Sequence, residues 1–363
     1  MDRRIWHNYD FVLLGAVLLL LIYGVAVIYS ASHDISTISN AAARQAIFAV
    51  LGLVVGLAVA AIDYRLLDAF SAPFYVLMVV LLIAVFVIGQ INFNVQRSFD
   101  LGIVDLQPSE LSKPLMIIAL AAFLSRREER QAQLPTVLLS VLLVAVPVVL
   151  IYREPDLGTA IVLVFIWLTM LFASGVSLLY LGLLLGTGVV AIPFAWFSMQ
   201  DYMRRRIMIF LNPATDPQAY YNIRQALYAI GSGGWLGKGY LHGTQSQLHF
   251  LLVKHTDFAF AVLCEEMGFV GALALFVLLL AVLLRTLVAA KRARDSFGRL
   301  ICTGVAAWIF FQCVVNIGMN LNLLPVTGLP LPFISYGGSS LMTILAALGI
   351  VQSVLLRHRK IEF

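Results

Sequence analysis

The sequence predicts an all-α integral membrane protein, with about ten transmembrane helices and one long polar connection between the seventh and eighth. Three observations carry this. Of 363 residues, 61% are hydrophobic and only 12% charged, with a mean hydropathy of +0.94, whereas a soluble globular chain carries about 25% charged residues. A water-soluble fold of this size could not hide so much apolar surface, so lipid must solvate it. The apolar residues also fall into stretches near the ~20 residues that a helix needs to cross the hydrocarbon core. Finally, the basic residues crowd into very short connections on one side, as the positive-inside rule requires.

Along the chain the expected spans are ten, approximately 10–30, 43–62, 72–90, 109–125, 135–152, 158–174, 178–199, 258–286, 300–322 and 338–356. The first is nearly a full span and no small-residue cleavage site follows it, so it reads as a retained helix and not as a signal peptide. The fourth opens on polar Glu110 and Lys113. An even count puts both termini on one side, and charge selects the cytoplasm. Inside then lie Arg3, Arg4, Arg65, Arg126, Arg127, Arg130, Arg285, Lys291, Arg292, Arg294, Arg299, Arg357, Arg359 and Lys360. The opposite orientation would leave the run from Arg285 to Arg299 outside. Four polar stretches are thereby placed outside: Asn92–Gln107, Arg153–Leu157, Gln200–Thr256 and Leu323–Gly337. The whole chain, 1–363, reads as one transmembrane domain, with residues 200–257 as its long extracytoplasmic loop. That loop mixes Tyr220, Tyr221, Tyr228, Trp235 and Phe250 with glycine turns, so it should be partly ordered at the membrane surface. The net charge of +5 is too dispersed to suggest nucleic acid. Cys264, Cys302 and Cys313 lie at neither disulfide nor metal spacing and read as small buried residues.

Four clusters on the outer face could carry chemistry. The first is Arg97-Ser-Phe-Asp-Leu-Gly102 followed by Gln107-Pro-Ser-Glu110-Leu-Ser-Lys113. Pro108 and Ser109 suit a helix start, which sets Glu110 and Lys113 on one face. Pro114 should kink or delay that helix. A cap with a local ion pair would explain the cluster; so would a polar cavity, because a charged pair just inside the bilayer is expensive. The second, Glu154-Pro-Asp156-Leu-Gly158, offers Asp156 either as a helix cap or as a functional carboxylate. The third runs from the glycine-rich Gly231–Gly239 to Lys254-His255-Thr-Asp257. Its glycines lack the spacing of a nucleotide-binding loop. Asp257 stands where helix eight begins, as an N-cap or as a partly desolvated general base. Glu265 and Glu266 fall on different faces, so at most one can share a cavity with it. The fourth, Leu329-Pro-Leu-Pro to Ser340, gives irregular backbone at membrane depth, which survives only buried in protein or lining a wet cavity.

The motifs Gln107-Pro-Ser-Glu-Leu, Pro155-Asp-Leu-Gly-Thr-Ala, Ala229-Ile-Gly-Ser-Gly-Gly, His255-Thr-Asp-Phe-Ala-Phe and Leu331-Pro-Phe-Ile-Ser-Tyr-Gly-Gly-Ser-Ser, in this order, resemble the SEDS family (shape, elongation, division and sporulation). The short tails resemble its RodA branch more than its FtsW branch. Ser98 and Glu154 depart from the usual aromatic and glutamine. The resemblance implies a peptidoglycan glycosyltransferase that polymerises lipid II outside the cytoplasmic membrane during cell elongation. Asp257 would then be the general base, and Arg97, Glu110, Lys113, Asp156 and His255 would meet the substrate. The base would deprotonate the acceptor's GlcNAc 4-hydroxyl, which attacks the donor's MurNAc anomeric carbon with inversion. Arg97 and Lys113 would balance charge on the leaving diphosphate. No cofactor is required by this scheme, although it admits a Mg²⁺ or Mn²⁺ ion bridging phosphate and carboxylate. The implied partners are lipid II, the growing glycan strand, a class B penicillin-binding protein and other elongation-complex membrane proteins. A lipid-II flippase or a non-catalytic scaffold would also place polar groups in a membrane, but a flippase should line both leaflets with them.

Overall fold

A computed structural model of the chain describes residues 8–33, 40–88, 90–92, 95–100, 105–130, 133–248, 250–251 and 255–358. In chain order it contains α1 (Phe11–Ser32), α2 (Ala41–Ala61), α3 (Tyr64–Ala69), α4 (Ser71–Ile88), β1 (Gln90–Asn92), β2 (Val95–Asp100), β3 (Asp105–Leu106), α5 (Pro108–Ser125), α6 (Leu134–Arg153), α7 (Leu157–Ser174), α8 (Leu178–Ser198), α9 (Asp201–Leu211), α10 (Pro217–Gly233), α11 (Thr244–Gln247), α12 (Ala259–Arg292), α13 (Ser296–Asn320) and α14 (Gly338–Leu356). A helix therefore stands over each expected apolar stretch. Seven of them, α1, α2, α6, α7, α12, α13 and α14, are long and apolar enough to cross a membrane, and α4 and α8 carry shorter apolar runs. The chain is a multi-pass membrane protein. α5 runs unbroken through Pro114, so the expected delay does not occur.

Three features were not legible beforehand. β1, β2 and β3 form a small antiparallel ribbon in the stretch before α5. The connection after α8 is largely helical, and α10, whose Ile223, Ala226 and Ala229 are buried, packs along α12. α12 is not one continuous helix, because Gly268 breaks it at φ 63°, ψ −159°, a conformation that L side chains rarely adopt.

The break explains the glycine run. Interrupting a helix inside a bilayer orphans carbonyls before the break and N–H groups after it, and no water is there to satisfy them. The Gly234 and Trp235 carbonyls accept from Phe269 N (2.9 Å) and Val270 N (3.1 Å). Lys238 N and Gly239 N donate to the Glu265 and Glu266 carbonyls, both at 3.0 Å. Gly237 takes φ +79°, and a Cβ on it would collide with the Glu266–Met267 peptide. The Gly231–Gly239 stretch is thus a splint for a broken helix.

Of the seven long apolar helices, α13 and α14 are the most enclosed. α14 makes its most extensive contact with α2, across Gly52 and Gly56. A Cβ on Gly56 would stand 2.8 Å from the Leu345 carbonyl oxygen, the close approach that small residues permit where apolar burial gives helices no advantage over lipid. At one end of the bundle, ion pairs tie the helix ends together: Asp10–Arg285 (2.6 Å), Asp68–Arg126 (3.0 Å), Asp63–Arg357 (3.5 Å), Asp295–Arg65 (3.5 Å) and Glu128–Arg299 (3.6 Å). The site lies at the other end.

Candidate active site in a polar cavity

The first turns of α2, α5, α7 and α14, the segment before α12 and the irregular chain between α13 and α14 surround a cavity of about 680 Å³. Its lining includes the carboxylates Asp105, Glu110, Asp156 and Asp257, the cations Arg44 and Arg206, and Thr256, Tyr336 and Ser339. Four helices begin here, so their positive dipole ends share the cavity and favour an anionic occupant.

Asp156 is a helix cap that also faces the cavity. Its side chain caps α7 by accepting from Thr159 N at 3.1 Å, accepts from Ser109 Oγ at 3.2 Å, and still lines the cavity. Glu110 also lines it, and its Oε1 accepts from Lys113 Nζ at 2.7 Å. Lys113 does not line it. Its side chain is 0% exposed, with Nζ 5.0 Å from the Trp308 ring centroid. An arriving phosphate would meet Glu110 before it met Lys113.

Asp257 lines the cavity but is not the helix cap. Phe258 occupies the N-cap position of α12, without a side-chain cap bond. Among the described residues the Asp257 carboxylate takes no hydrogen bond, and only its backbone carbonyl is held. Burial raises its pKa above the ordinary carboxylate range, and the Arg206 charge opposes this less strongly. A partly desolvated, unbonded carboxylate is suited to accept a proton. His255 stands beside the cavity, its ring 5.9 Å edge-on from that of Tyr336. Arg97 lies in β2, and its side chain falls outside the described residues.

Neither Glu265 nor Glu266 reaches the cavity. Glu265 is fully buried and accepts from Lys238 Nζ (3.0 Å), Gln245 N (2.8 Å) and Ser246 N (3.1 Å), anchoring the loop that splints α12. Glu266 bonds Ser30 of α1 and Gln247. Both act as struts, and neither shares the cavity with Asp257.

Two cavity cations escaped the sequence reading. Arg44 stands in the first turn of α2, and Arg206 ends the Arg204-Arg205-Arg206 run of α9. In the orientation expected from sequence both run against the positive-inside bias, which was the available signal. Arg205 pairs with Asp216 and Arg204 bonds the Trp196 and Phe197 carbonyls. Arg206 bonds the Val326 carbonyl at 3.2 Å and faces the cavity.

Fold and site together define a polytopic membrane protein with a carboxylate- and arginine-lined cavity at one end. The model of the cell cycle protein family that comprises FtsW, RodA and SpoVE matches residues 11–360, and the chain belongs to this family, the SEDS family of the resemblance. The peptidoglycan glycosyltransferase MrdB of Escherichia coli K12 is 42% identical over 97% of this chain and 94% of its own length. A probable peptidoglycan glycosyltransferase FtsW of Trichlorobacter lovleyi is 35% identical over 96% and 93%. A chain solved in a peptidoglycan synthase complex that coordinates polymerization and crosslinking superposes with a TM-score of 0.83 at 33% identity, covering 96% of this chain and 98% of that one. The crystal structure of Thermus thermophilus RodA does so at 0.72 and 30% identity, covering 96% and 97%.

Proposed function

We propose that the chain is a peptidoglycan glycosyltransferase that joins lipid-linked disaccharides, with Asp257 as general base in the described cavity. The observation that carries the assignment is an unbonded, desolvated carboxylate among cations and helix N-termini. In the reaction, Asp257 takes the proton of the acceptor's 4-hydroxyl. The oxygen forms a bond to the donor's anomeric carbon from the opposite face while the anomeric C–O bond to diphosphate breaks. The diphosphate departs with the electron pair, and Arg44, Arg206 and the converging helix ends lower the cost of its charge. Among the described residues no three His, Cys, Asp or Glu side chains gather as a metal cage. A divalent ion that needs few protein carboxylates and takes the rest of its ligands from substrate phosphates would fit Glu110 or Asp156. It would add charge at the leaving group.

In this reading the ion-paired end of the bundle is cytoplasmic, the cavity opens outside, and residues 200–257 form an outer surface that a crosslinking partner of the penicillin-binding class reaches. A flippase should offer polar lining toward both ends. Here the 250 Å³ cavity farther down the bundle is walled by Val59, Leu67, Phe74, Leu115 and Ile350.

The test is Asp257→Asn in purified protein supplied with lipid II. Removing a general base lowers the rate about 10²–10⁴-fold. The substitution costs no cap and relieves a buried charge, so melting should not fall. Near wild-type polymerisation by Asp257→Asn would sink the assignment.

A further inference from the structure

The segment that delivers Asp257 is neither helix nor strand, yet three successive carbonyls in it are pinned. His255 O accepts from Tyr336 N at 2.9 Å, and Thr256 O accepts from Ser335 Oγ at 2.6 Å. Asp257 O accepts from two amides of α13, Asn320 Nδ2 at 3.0 Å and Asn316 Nδ2 at 3.3 Å. The two asparagines sit one turn apart and are fully buried. Asn316 also holds the Leu329 carbonyl at 2.8 Å, so it ties the cavity-lining chain between α13 and α14 to the same point. Burying two amides in a bilayer-spanning helix is costly unless they are bonded, and the bonds they make converge on the peptide of Asp257.

A base has two requirements that conflict. It must be held within a fraction of an ångström of the proton it removes, yet every hydrogen bond to its carboxylate stabilises the anion and weakens it as a base. Holding the residue by its backbone satisfies both. We propose that Asn316 and Asn320, with Ser335, are positioning residues for the general base. They fix the peptide of Asp257 so that its carboxylate enters the cavity in one place without a bond of its own. The amide is specifically suited: a leucine at 320 would leave the Asp257 carbonyl short of a donor, and an aspartate would set a second acceptor and a negative charge against it.

This rests on Asp257 being the base, and the test separates the two claims. Polymerisation by the full-length protein in nanodiscs is followed against lipid II concentration and pH for Asn320→Ala, Asn320→Asp and Asp257→Asn, and for Asn320→Ala combined with Asp257→Asn. Asn320→Ala should lower kcat at least tenfold with KM within about twofold. Asn320→Asp should move the acidic limb of the rate profile to higher pH, because the added carboxylate makes Asp257 harder to ionise. In the Asp257→Asn background, Asn320→Ala should remove no further activity, since its partner is already gone. Equal loss in both backgrounds, or an unchanged kcat, overturns the proposal while leaving the base assignment intact. An active Asp257→Asn overturns both. If Asn320→Ala does not fold, Ser335→Ala, which frees the Thr256 carbonyl, carries the same expectations.

Discussion

Lys113→Met tests the electrostatic reading of the cavity wall most directly. The Lys113 side chain is 0% exposed and that of Glu110 5%, with Nζ 2.7 Å from Oε1. Methionine occupies similar volume, so the substitution opens little cavity. It deletes the cation and leaves the Glu110 carboxylate buried and uncompensated, which costs about 3–5 kcal/mol. Loss of the ammonium over Trp308 adds about 1 kcal/mol. At about 2 °C per kcal/mol for a chain of this length, melting should fall by roughly 8–12 °C. Glu110→Gln combined with Lys113→Met removes both charges and should recover most of that loss, because replacing a buried pair outright is often nearly neutral. The assay is fluorescence-monitored melting in detergent for the wild type, both single variants and the double variant, read as a double-mutant cycle. If the double variant melts as low as Lys113→Met, the pair is not coupled and the reasoning fails. In the sequence the pair reads equally as a local ion pair or as part of a polar cavity; the burial of Lys113 makes instability the primary outcome of its loss.

Three further outcomes follow from the geometry. Gly268→Ala should melt roughly 2–6 °C below wild type from backbone strain alone, which at such a φ/ψ costs of order 1–3 kcal/mol, and lower still because the new Cβ would displace the Gly237 and Trp235 backbone; an unchanged melting curve would mean the splint is not as described. With Cys264, Cys302 and Cys313 buried, a cysteine at exposed Thr215 should react with an impermeant thiol reagent on whole cells and one at Ser296 should not, and the reverse pattern would invert the topology. Because burial raises the Asp257 pKa, the protonated, inactive form persists to higher pH than for an ordinary carboxylate. The acidic limb of polymerisation should therefore lie above about pH 4, with the rate falling as pH drops through it, and a limb at or below that value would contradict the desolvated environment.

Hydropathy and charge made the membrane spans legible because both act along the chain. A twenty-residue apolar run has few alternatives in water, and a helix stands over each such run here. Glu110, Asp156 and Asp257 were legible for a related reason: ionisable groups near lipid are expensive, so each marks a polar place, and all three line the cavity. What one chain segment cannot report is which way a buried side chain turns. Lys113 shares a helix face with Glu110, yet it points to Trp308 on α13, and only the packing of α5 on α13 decides that. Arg44 and Arg206 were hidden because the bias that gives the expected orientation was summed over loops, and in that orientation these two run against it.

The glycine run and the break in α12 show the same limit more sharply. Read locally, Gly231–Gly239 is a turn-rich loop and Gly268 a tolerated helix glycine. They lie about thirty residues apart and carry no pattern that joins them. Their meaning is mutual: a helix may break inside a membrane only where another backbone supplies the lost bonds, and that backbone may approach so closely only if it lacks side chains. Gly233 faces the Cys264 carbonyl, Gly237 the Glu266–Met267 peptide, and Gly268 the Trp235 and Gly237 backbone. The break sets the first part of α12, residues 259–267, apart from the longer part below. The splint of α10 and the glycine loop, the Glu265 anchor and the asparagines of α13 then all bear on that short upper segment. The residue it presents at its head is Asp257. Irregular backbone in a bilayer must be bonded from several elements at once, and here that multiple bonding is what places a carboxylate in the cavity.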